Sequence, residues 1–588
     1  MKRTHTCGEL RIEHIGQTVT LCGWVQRARD LGGLIFIDLR DRAGITQCLF
    51  NTDNPLAGEA AQVRGEWCLA VTGTVRERSS KNKNIPTGDI ELDVTGLTVL
   101  SRAQTPPFEI EDDCKANELL RLEYRYLDLR RPVLQHNLAV RHRAMQTVRR
   151  YLDGKGFYEI ETPMLTASTP EGSRDYIIPS RLHKGKFYAL PQSPQQYKQL
   201  LMVAGMDKYF QFARCARDED LRADRQPDFT QIDMEMSFVD VEDVYTLAEG
   251  MIAGLFGAFG IEIPLPLPRL TWHEAMERYG SDKPDTRFGF ELRDLTEATR
   301  GCGFGVFANA PSVRCIVVDH EFTRKEIDAL TEFVKGLGVK GLAWHKAESS
   351  SFAKFLSEDE LAAILRVAGA NGAPGAQDGG GKYTLFAIAD EDGLVKTTLG
   401  ALRLECARRL DLLKSDHAKR TLGVYNFLWI TEFPMFEYSQ EEGRFVAQHH
   451  PFTGPMEEDI PLLDGKDLSK VRSKAYDMVC NGYELCSGSI RIHDAGVQAK
   501  VFDLLGIPED EMQRRFGHML KAFTYGVPPH GGIGFGFDRL VMLLCQTANI
   551  RDVVAFPKTQ SAVEPMTGCP SDVDAKQLEE LGIGLDME

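Results

Sequence analysis

The sequence predicts a multidomain α+β protein: a small N-terminal β-barrel, then a helical segment and, past residue 285, an α+β domain of its own. Three observations predict it. At 588 residues the chain has room for about three to five domains. Its first 105 residues read as closely spaced short strands, and helical periodicity begins only at Leu134. A second change of composition falls at Ser281-Asp282-Lys283-Pro284-Asp285.

The N-terminal strands are expected at 19–25, 34–39, 45–50, 67–75 and 90–100, parted by turn residues such as Gly32-Gly33, Ala43-Gly44 and Thr87-Gly88. Five strands in about 90 residues suit a small barrel, and an OB-fold is the common RNA-facing form. A structural barrel without a ligand fits the same pattern. Arg27 and Arg29 beside an exposed loop, and Phe36 free to stack on a base, favour RNA; such stacking is worth about 1–3 kcal/mol per base.

Gln104-Thr105-Pro106-Pro107 marks a linker. Leu134, Leu138, Met145, Val148 and Leu152 then fall at helical spacing, and Gly154 stops the helix. Residues 121–150 hold eight arginines, which suit either a solvated helix face or a phosphate backbone. Past residue 285 come a strand at 313–318 and capping boxes at Thr323…Glu326 and Ser357…Glu360, marking an α+β domain over 286–420. Its glycine-rich stretch 369–381 fails as a phosphate loop, because Ala376 replaces the first glycine and Tyr383 the hydroxyl residue. Gly301-Cys302-Gly303-Phe304-Gly305 fails as a dinucleotide fingerprint, with Val306 in the third glycine position. Both read as loops.

Composition excludes several classes. With 43% hydrophobic and 26% charged residues, the chain is neither disordered nor collagenous. Its 69 basic and 85 acidic residues give −16, which rules out a histone-like coating protein. Residues 1–105, however, hold 13 Lys/Arg against 12 Asp/Glu, a balance of +1. Attraction falls off within a Debye length of about 8 Å, so a local basic surface still permits specific RNA recognition. Thirteen cysteines without a CxxC pair read as reduced thiols. The start, MKRTHTCGEL, lacks an apolar signal core, and the apolar stretch 251–263 is short and broken by Glu262. A soluble cytoplasmic protein with no membrane partner is expected.

Three segments carry the chemistry. Gly156-Phe157-Tyr158-Glu159-Ile160-Glu161-Thr162-Pro163-Met164-Leu165 is a helix end running into a strand broken by proline. Phe212-Ala213-Arg214-Cys215-Ala216-Arg217-Asp218-Glu219 leads through a polar loop to Phe229-Thr230-Gln231-Ile232-Asp233-Met234-Glu235. Gly534-Phe535-Gly536-Phe537-Asp538-Arg539-Leu540 is a glycine-rich strand opening an apolar helix. Alone, each arginine reads as an ordinary ion-paired residue.

In this order and spacing they resemble motifs 1, 2 and 3 of the class II aminoacyl-tRNA synthetases. With Tyr188-Ala189-Leu190-Pro191-Gln192-Ser193-Pro194-Gln195 and His449-His450-Pro451-Phe452-Thr453, the chain resembles the bacterial-type aspartyl-tRNA synthetase family from Cys22-Gly23-Trp24-Val25 to Ile550-Arg551-Asp552-Val553. The resemblance implies an OB-fold anticodon-binding domain (1–105), a linker (106–133), a class II antiparallel-sheet catalytic domain in two parts (134–285 and 421–588, the latter with a C-terminal extension) and an inserted α+β domain (286–420). Pro163 belongs to a motif that forms the family's dimer interface, so a homodimer is implied.

The implied activity is ATP-dependent attachment of L-aspartate to tRNA(Asp) through an aspartyl-adenylate. Arg217 matches the family arginine bridging the amino-acid carboxylate and the α-phosphate. Asp218, Glu219, Gln226, Glu484, Gly536, Phe537 and Asp538 match ATP contacts, with Phe229 beneath adenine and Arg539 above it. Asp477 and Glu484 match carboxylates holding Mg²⁺; without the motifs they would read as solvated acids. A side-chain carboxylate needs a cationic socket, which an amide would leave unpaired. Lys198 and Arg491 match that socket. Asp233, with Glu171, Ser193 and Gln195, resembles the group around the ammonium end. His449 matches a substrate-contacting loop histidine; a His449-His450 metal site is disfavoured.

On the anticodon side the resemblance falls at Phe36, Gln47 and Glu91, with Arg29 close by. Leu31 and Lys81 stand where relatives accepting both tRNA(Asp) and tRNA(Asn) tend to carry His and a small residue, so discrimination against tRNA(Asn) is expected. Cys486-Ser487-Gly488 departs from the glycine-rich run usual after Glu484, Asp538 replaces a common Glu, and Ala28 interrupts an arginine cluster. The alternatives are a non-discriminating enzyme, a sister synthetase, for which Lys198 and Arg491 fit neither asparagine nor lysine, and a non-catalytic RNA-binding paralogue.

Overall fold

The computed structural model describes every residue except 1, 169–172, 220, 222, 371–381, 414–424, 441–442 and 587–588. The glycine-rich stretch rejected as a phosphate loop lies largely outside the described residues. Two compact units divide the chain, Met1–Val140 with Arg551–Ser571, and Arg141–Ile550 with Asp572–Glu588.

The first unit holds a closed five-stranded barrel of β1 (Thr18–Asp30), β2 (Ile35–Asp41), β3 (Gly44–Phe50), β4 (Cys68–Glu77) and β5 (Ile90–Ser101), ordered β1-β2-β3-β5-β4. Alternation fills it: Val19, Leu21, Val25, Ile35, Ile37, Leu39, Val71, Val75 and Leu92 all point into one core. β1 runs beyond the expected 19–25 because Arg27 and Arg29 pair with Asp38 and Phe36 of β2. They therefore lie on the barrel face, beside the turn that joins β1 to β2.

The second unit is built on an eight-stranded sheet ordered Arg269–Thr271, Phe427–Thr431, Ala475–Cys480, Tyr483–Ile490, His530–Gly536, Asp228–Ser237, Lys208–Ala216 and Tyr158–Glu159. Only the two outermost pairings are parallel. The expected helix after the linker is Pro132–Gly154.

Within the same unit, between Arg269–Thr271 and Phe427–Thr431, lies a five-stranded sheet: Arg293–Asp294, Ser312–Val318, Thr384–Asp390, Ala343–Lys346 and Ser349–Ser350. Its period-two pattern separates two cores. Ile316, Val318, Phe386 and Ile388 pack with the helices Arg324–Lys335 and Asp392–Arg409, while Val313, Cys315, Leu385 and Ala387 pack with Glu358–Ala368. Both expected capping boxes form: Thr323 and Ser357 accept from the backbone N–H of Glu326 and Glu360, and each glutamate reaches back to its cap. In the 301–305 run, Gly305 opens the short helix Gly305–Ala308. All thirteen cysteines are free thiols. No helix among the described residues is long and apolar enough to cross a membrane.

Candidate active site

A cavity of about 450 Å³ opens on the eight-stranded sheet. Its floor comes from Asp228–Ser237, Tyr483–Ile490 and His530–Gly536, with Asp233 opposite Gly534 and Ser487 opposite Gly534 on the other side. The glycines have a steric cause. A Cβ on Gly532 would lie 1.8 Å from Glu235 Oε2, and one on Gly488 would lie 2.3 Å from the Gly532 carbonyl oxygen. The sheet can carry a carboxylate flat against it only where side chains are missing.

Four buried charges occupy the floor. Lys198, on the helix Gln195–Val203, donates to Asp233 Oδ1 at 2.8 Å and lies 3.2 Å from Glu235 Oε2. Arg491 holds Glu235 through Nε at 3.0 Å and Nη2 at 3.3 Å, and donates from Nη1 to Ser489 at 2.8 Å. The resemblance implied a cationic socket at Lys198 and Arg491; in the structure both cations are ion-paired with floor carboxylates. Unpaired buried charge is too costly to leave empty of counterions. Burial alone would raise the Glu235 carboxyl, but Arg491 and Lys198 outweigh it and pull it down to about 2. At Asp233 burial prevails over Lys198 and the carboxyl stays above its usual range. Its Oδ2 is buried without a hydrogen-bond partner.

Towards the mouth the arginines differ in their engagement. Arg539 pairs with Asp224 at 3.1 Å and donates to the Glu484 carbonyl at 2.8 Å, while Arg225 pairs with Glu219 at 3.2 Å. Arg217 forms no ion pair among the described residues, and its Nε is buried and unpartnered. Its guanidinium sits 5.2 Å from the centre of the Phe229 ring. Lys283 donates to Glu484 Oε2 at 3.1 Å. Desolvation works against Glu484 ionising, yet Lys283 and Arg539 hold it below the usual carboxylate range. Asp477 is buried, pushed well above that range by desolvation and then by Glu484, and its Oδ1 is an orphan. Two carboxylates and an orphaned oxygen fit a magnesium ion that takes its remaining ligands from phosphate and water. No cluster of three metal-ligating side chains exists among the described residues.

Ser193, Gln195, Lys198, Arg217, Glu219, Gln226, Phe229, Asp233, His449, Glu484, Arg491, Gly536, Asp538 and Arg539 thus line one cavity. His449 is exposed at its rim, edge-on to Phe433 at 4.7 Å. Asp538 is tied to the frame, accepting from Arg141 at 2.5 Å and from the Thr230 N–H at 2.9 Å. Three residues that the resemblance brought in stand off the lining. Asp218 faces Arg174 at 3.5 Å, Phe537 is buried edge-to-face with Phe212, and Asp477 lies behind Ser487 in the neighbouring strand. Glu171 lies outside the described residues. Sequence reasoning missed Glu235 and Lys283. Glu235 had a signal, since residues two apart on a strand share a face with Asp233; Lys283 sat in a segment read as a boundary.

In the barrel unit, Arg29 donates to Asp38 at 3.0 Å and to Gln47 Oε1 at 3.2 Å, and lies 5.7 Å from the Phe36 ring centre. Gln47 donates to Glu91 at 2.7 Å, and Arg76 and Arg78 complete the network. Leu31 is exposed, and Lys81 pairs with Glu77 at 2.9 Å.

The family model "tRNA synthetases class II (D, K and N)" matches residues 117–560. The chain belongs to this family. Residues 19–100 match the OB-fold nucleic acid binding domain model. The "Aspartate--tRNA(Asp/Asn) ligase" of Lachnoclostridium phytofermentans is 53% identical, covering 100% of this chain and 98% of the relative. The "Aspartate--tRNA ligase" of Ruminiclostridium cellulolyticum is 52% identical, covering 100% and 99%. Asparaginyl-tRNA synthetase from Pyrococcus horikoshii, solved with asparaginyl-adenylate, shares the fold with a TM-score of 0.57 at 18% identity, over 95% of this chain and 99% of that one.

The floor charges make a pH prediction. Glu235 has a folded value near 2 against about 4.5 unfolded, so its stabilisation is complete above 4.5 and is lost as pH falls through that window. Denaturant midpoints measured between about pH 6 and about pH 3 should decline, and Glu235→Gln should be less stable at neutral pH with a shallower acid decline. An unchanged slope in the variant would contradict the pairing.

Proposed function

We propose that this chain attaches L-aspartate to tRNA(Asp) in two steps driven by ATP. The observation that carries the reading is the placement of Arg217, a cavity arginine without an ion pair among the described residues, above a floor holding Lys198 and Arg491. The names of the relatives point the same way.

An α-carboxylate oxygen of aspartate attacks the α-phosphorus of ATP, the bond to the bridging oxygen breaks, and pyrophosphate leaves. Arg217 neutralises the approaching anions, its planar fork of donors suiting one oxygen from each. Lys198 and Arg491 orient the side-chain carboxylate, sharing protons already committed to Asp233 and Glu235. Asp233 and Gln195 receive the ammonium group. Phe229 supplies an apolar face for adenine once Arg217 has turned to the phosphates, with Arg539 on the far side. Asp477 and Glu484 would hold Mg²⁺, which when bound supplies charge neutralisation on the polyphosphate. The terminal ribose hydroxyl of tRNA then attacks the acyl carbon and AMP leaves. No side-chain nucleophile is needed.

In this reading residues 1–105 bind the anticodon through Arg29, Phe36, Gln47 and Glu91, residues 286–420 are an insertion in the catalytic domain, and the protein acts as a cytoplasmic homodimer. Leu31 and Lys81 favour discrimination against tRNA(Asn), while the "Asp/Asn" names of some relatives favour the opposite reading.

Arg217→Ala should slow aspartate-dependent ATP–pyrophosphate exchange by at least ~10²-fold, the scale for losing a transition-state donor; a rate near that of the parent would remove Arg217 from its role. Charging assays with separate tRNA(Asp) and tRNA(Asn) transcripts should show aspartylation of tRNA(Asp) alone. Comparable charging of both would overturn the discrimination and keep the chemistry, and charging of neither would favour an RNA-binding paralogue.

A further inference from the structure

Behind the cavity wall, two side chains, His530 and Gln199, connect a backbone carbonyl to Gln195. His530, fully buried at the start of the glycine strand, places Nδ1 2.8 Å from the Pro528 carbonyl oxygen and Nε2 3.0 Å from Gln199 Nε2. Gln195 Nε2 in turn donates to Gln199 Oε1 at 3.0 Å.

The directions of these bonds are not free. A carbonyl oxygen only accepts, so the imidazole hydrogen sits on Nδ1. In a neutral ring Nε2 is then an acceptor, and the Gln199 group facing it must be the amide NH₂. Gln199 has only its oxygen left for Gln195, which draws the Gln195 NH₂ inward. Gln195 lines the cavity, and with its NH₂ engaged by Gln199 it is Oε1 that is left to face a ligand. The same cavity holds Asp233, whose Oδ2 is buried and unpartnered.

We propose that His530 and Gln199 are positioning residues for amino-acid recognition, fixing Gln195 with its oxygen towards the cavity, where with Asp233 Oδ2 it forms an acceptor pair for the substrate ammonium group. This rests on the reading that an α-amino acid occupies the floor. Burial keeps His530 neutral against the pull of Glu235, with Arg491 and His493 also opposing protonation, and Phe523 closes the ring's other side edge-on at 6.0 Å. An imidazolium would donate from both nitrogens. Gln199 would then turn round, Gln195 after it, and an NH₂ would meet the ammonium.

Histidine-selective ¹⁵N spectra of the full chain, with His530 assigned against His530→Gln, should show a neutral ring with hydrogen on Nδ1 at neutral pH. An Nε2–H tautomer or an imidazolium overturns the relay, whether or not the chain activates aspartate. In exchange kinetics, Gln199→Leu should raise KM for aspartate about tenfold, the worth of one charge-assisted hydrogen bond, with kcat and KM for ATP within about twofold. KM for aspartate in the parent should also rise as pH falls below the ordinary histidine range, a rise that Gln199→Leu abolishes. An unchanged aspartate KM in that variant, or equal losses for both substrates, contradicts the proposal. Absence of exchange in the parent would instead defeat the proposed function and leave the spectra to decide the relay.

Discussion

The site depends on one arrangement: two buried cations, Lys198 and Arg491, held by two buried carboxylates, Asp233 and Glu235, on a sheet without side chains to crowd them. Each charge taken from water costs several kcal/mol unless it is paired and hydrogen-bonded. Glu235 is shared by both cations and sits flat over Gly532, which explains why that strand must be glycine-rich. Asp233 is held by one cation only, and burial leaves its second oxygen without a partner. The floor is therefore firm on one side and receptive on the other.

The mouth follows a different rule. Arg539, Arg225 and Lys283 already have acidic partners, whereas Arg217 rests against the face of Phe229. A cation–π contact at such a site is worth about 0.5–2 kcal/mol, much less than a charged phosphate can offer in a partly dry cavity. Arg217 is thus restrained but available. Lys283 has a comparable place beside Glu484, where it offsets the crowding of two carboxylates that also raises Asp477. The barrel uses the same economy of charge: Arg29, Arg76 and Arg78 are braced by Asp38, Gln47 and Glu91, leaving Phe36 on a polar, pre-ordered face.

Much of this was legible in the sequence, because local rules govern it. The barrel strands follow from period-two alternation, the inserted domain's helices from their capping boxes, and the motif strands from a glycine-rich pattern next to an apolar helix. What escaped depends on pairings distant in sequence. Lys283 meets Glu484 across 201 residues and looked like linker charge. The ion-paired state of Lys198 and Arg491 could not be read from residue types, since it depends on carboxylates brought in by the sheet's register. Asp218 and Phe537 entered with their motifs, yet neighbours along a strand or helix face different ways, and these two turn from the cavity. β1 outran its apolar pattern because backbone pairing with β2 carries Arg27 and Arg29 along.

The central claim is that this floor accepts a carboxylate side chain between Lys198 and Arg491. Amino-acid-dependent ATP–pyrophosphate exchange, run with aspartate, asparagine and lysine in turn, tests it most directly. Exchange with aspartate alone is the predicted result. Exchange with asparagine at a comparable rate would contradict it, since an amide would leave the two cations no better paired than in the empty cavity.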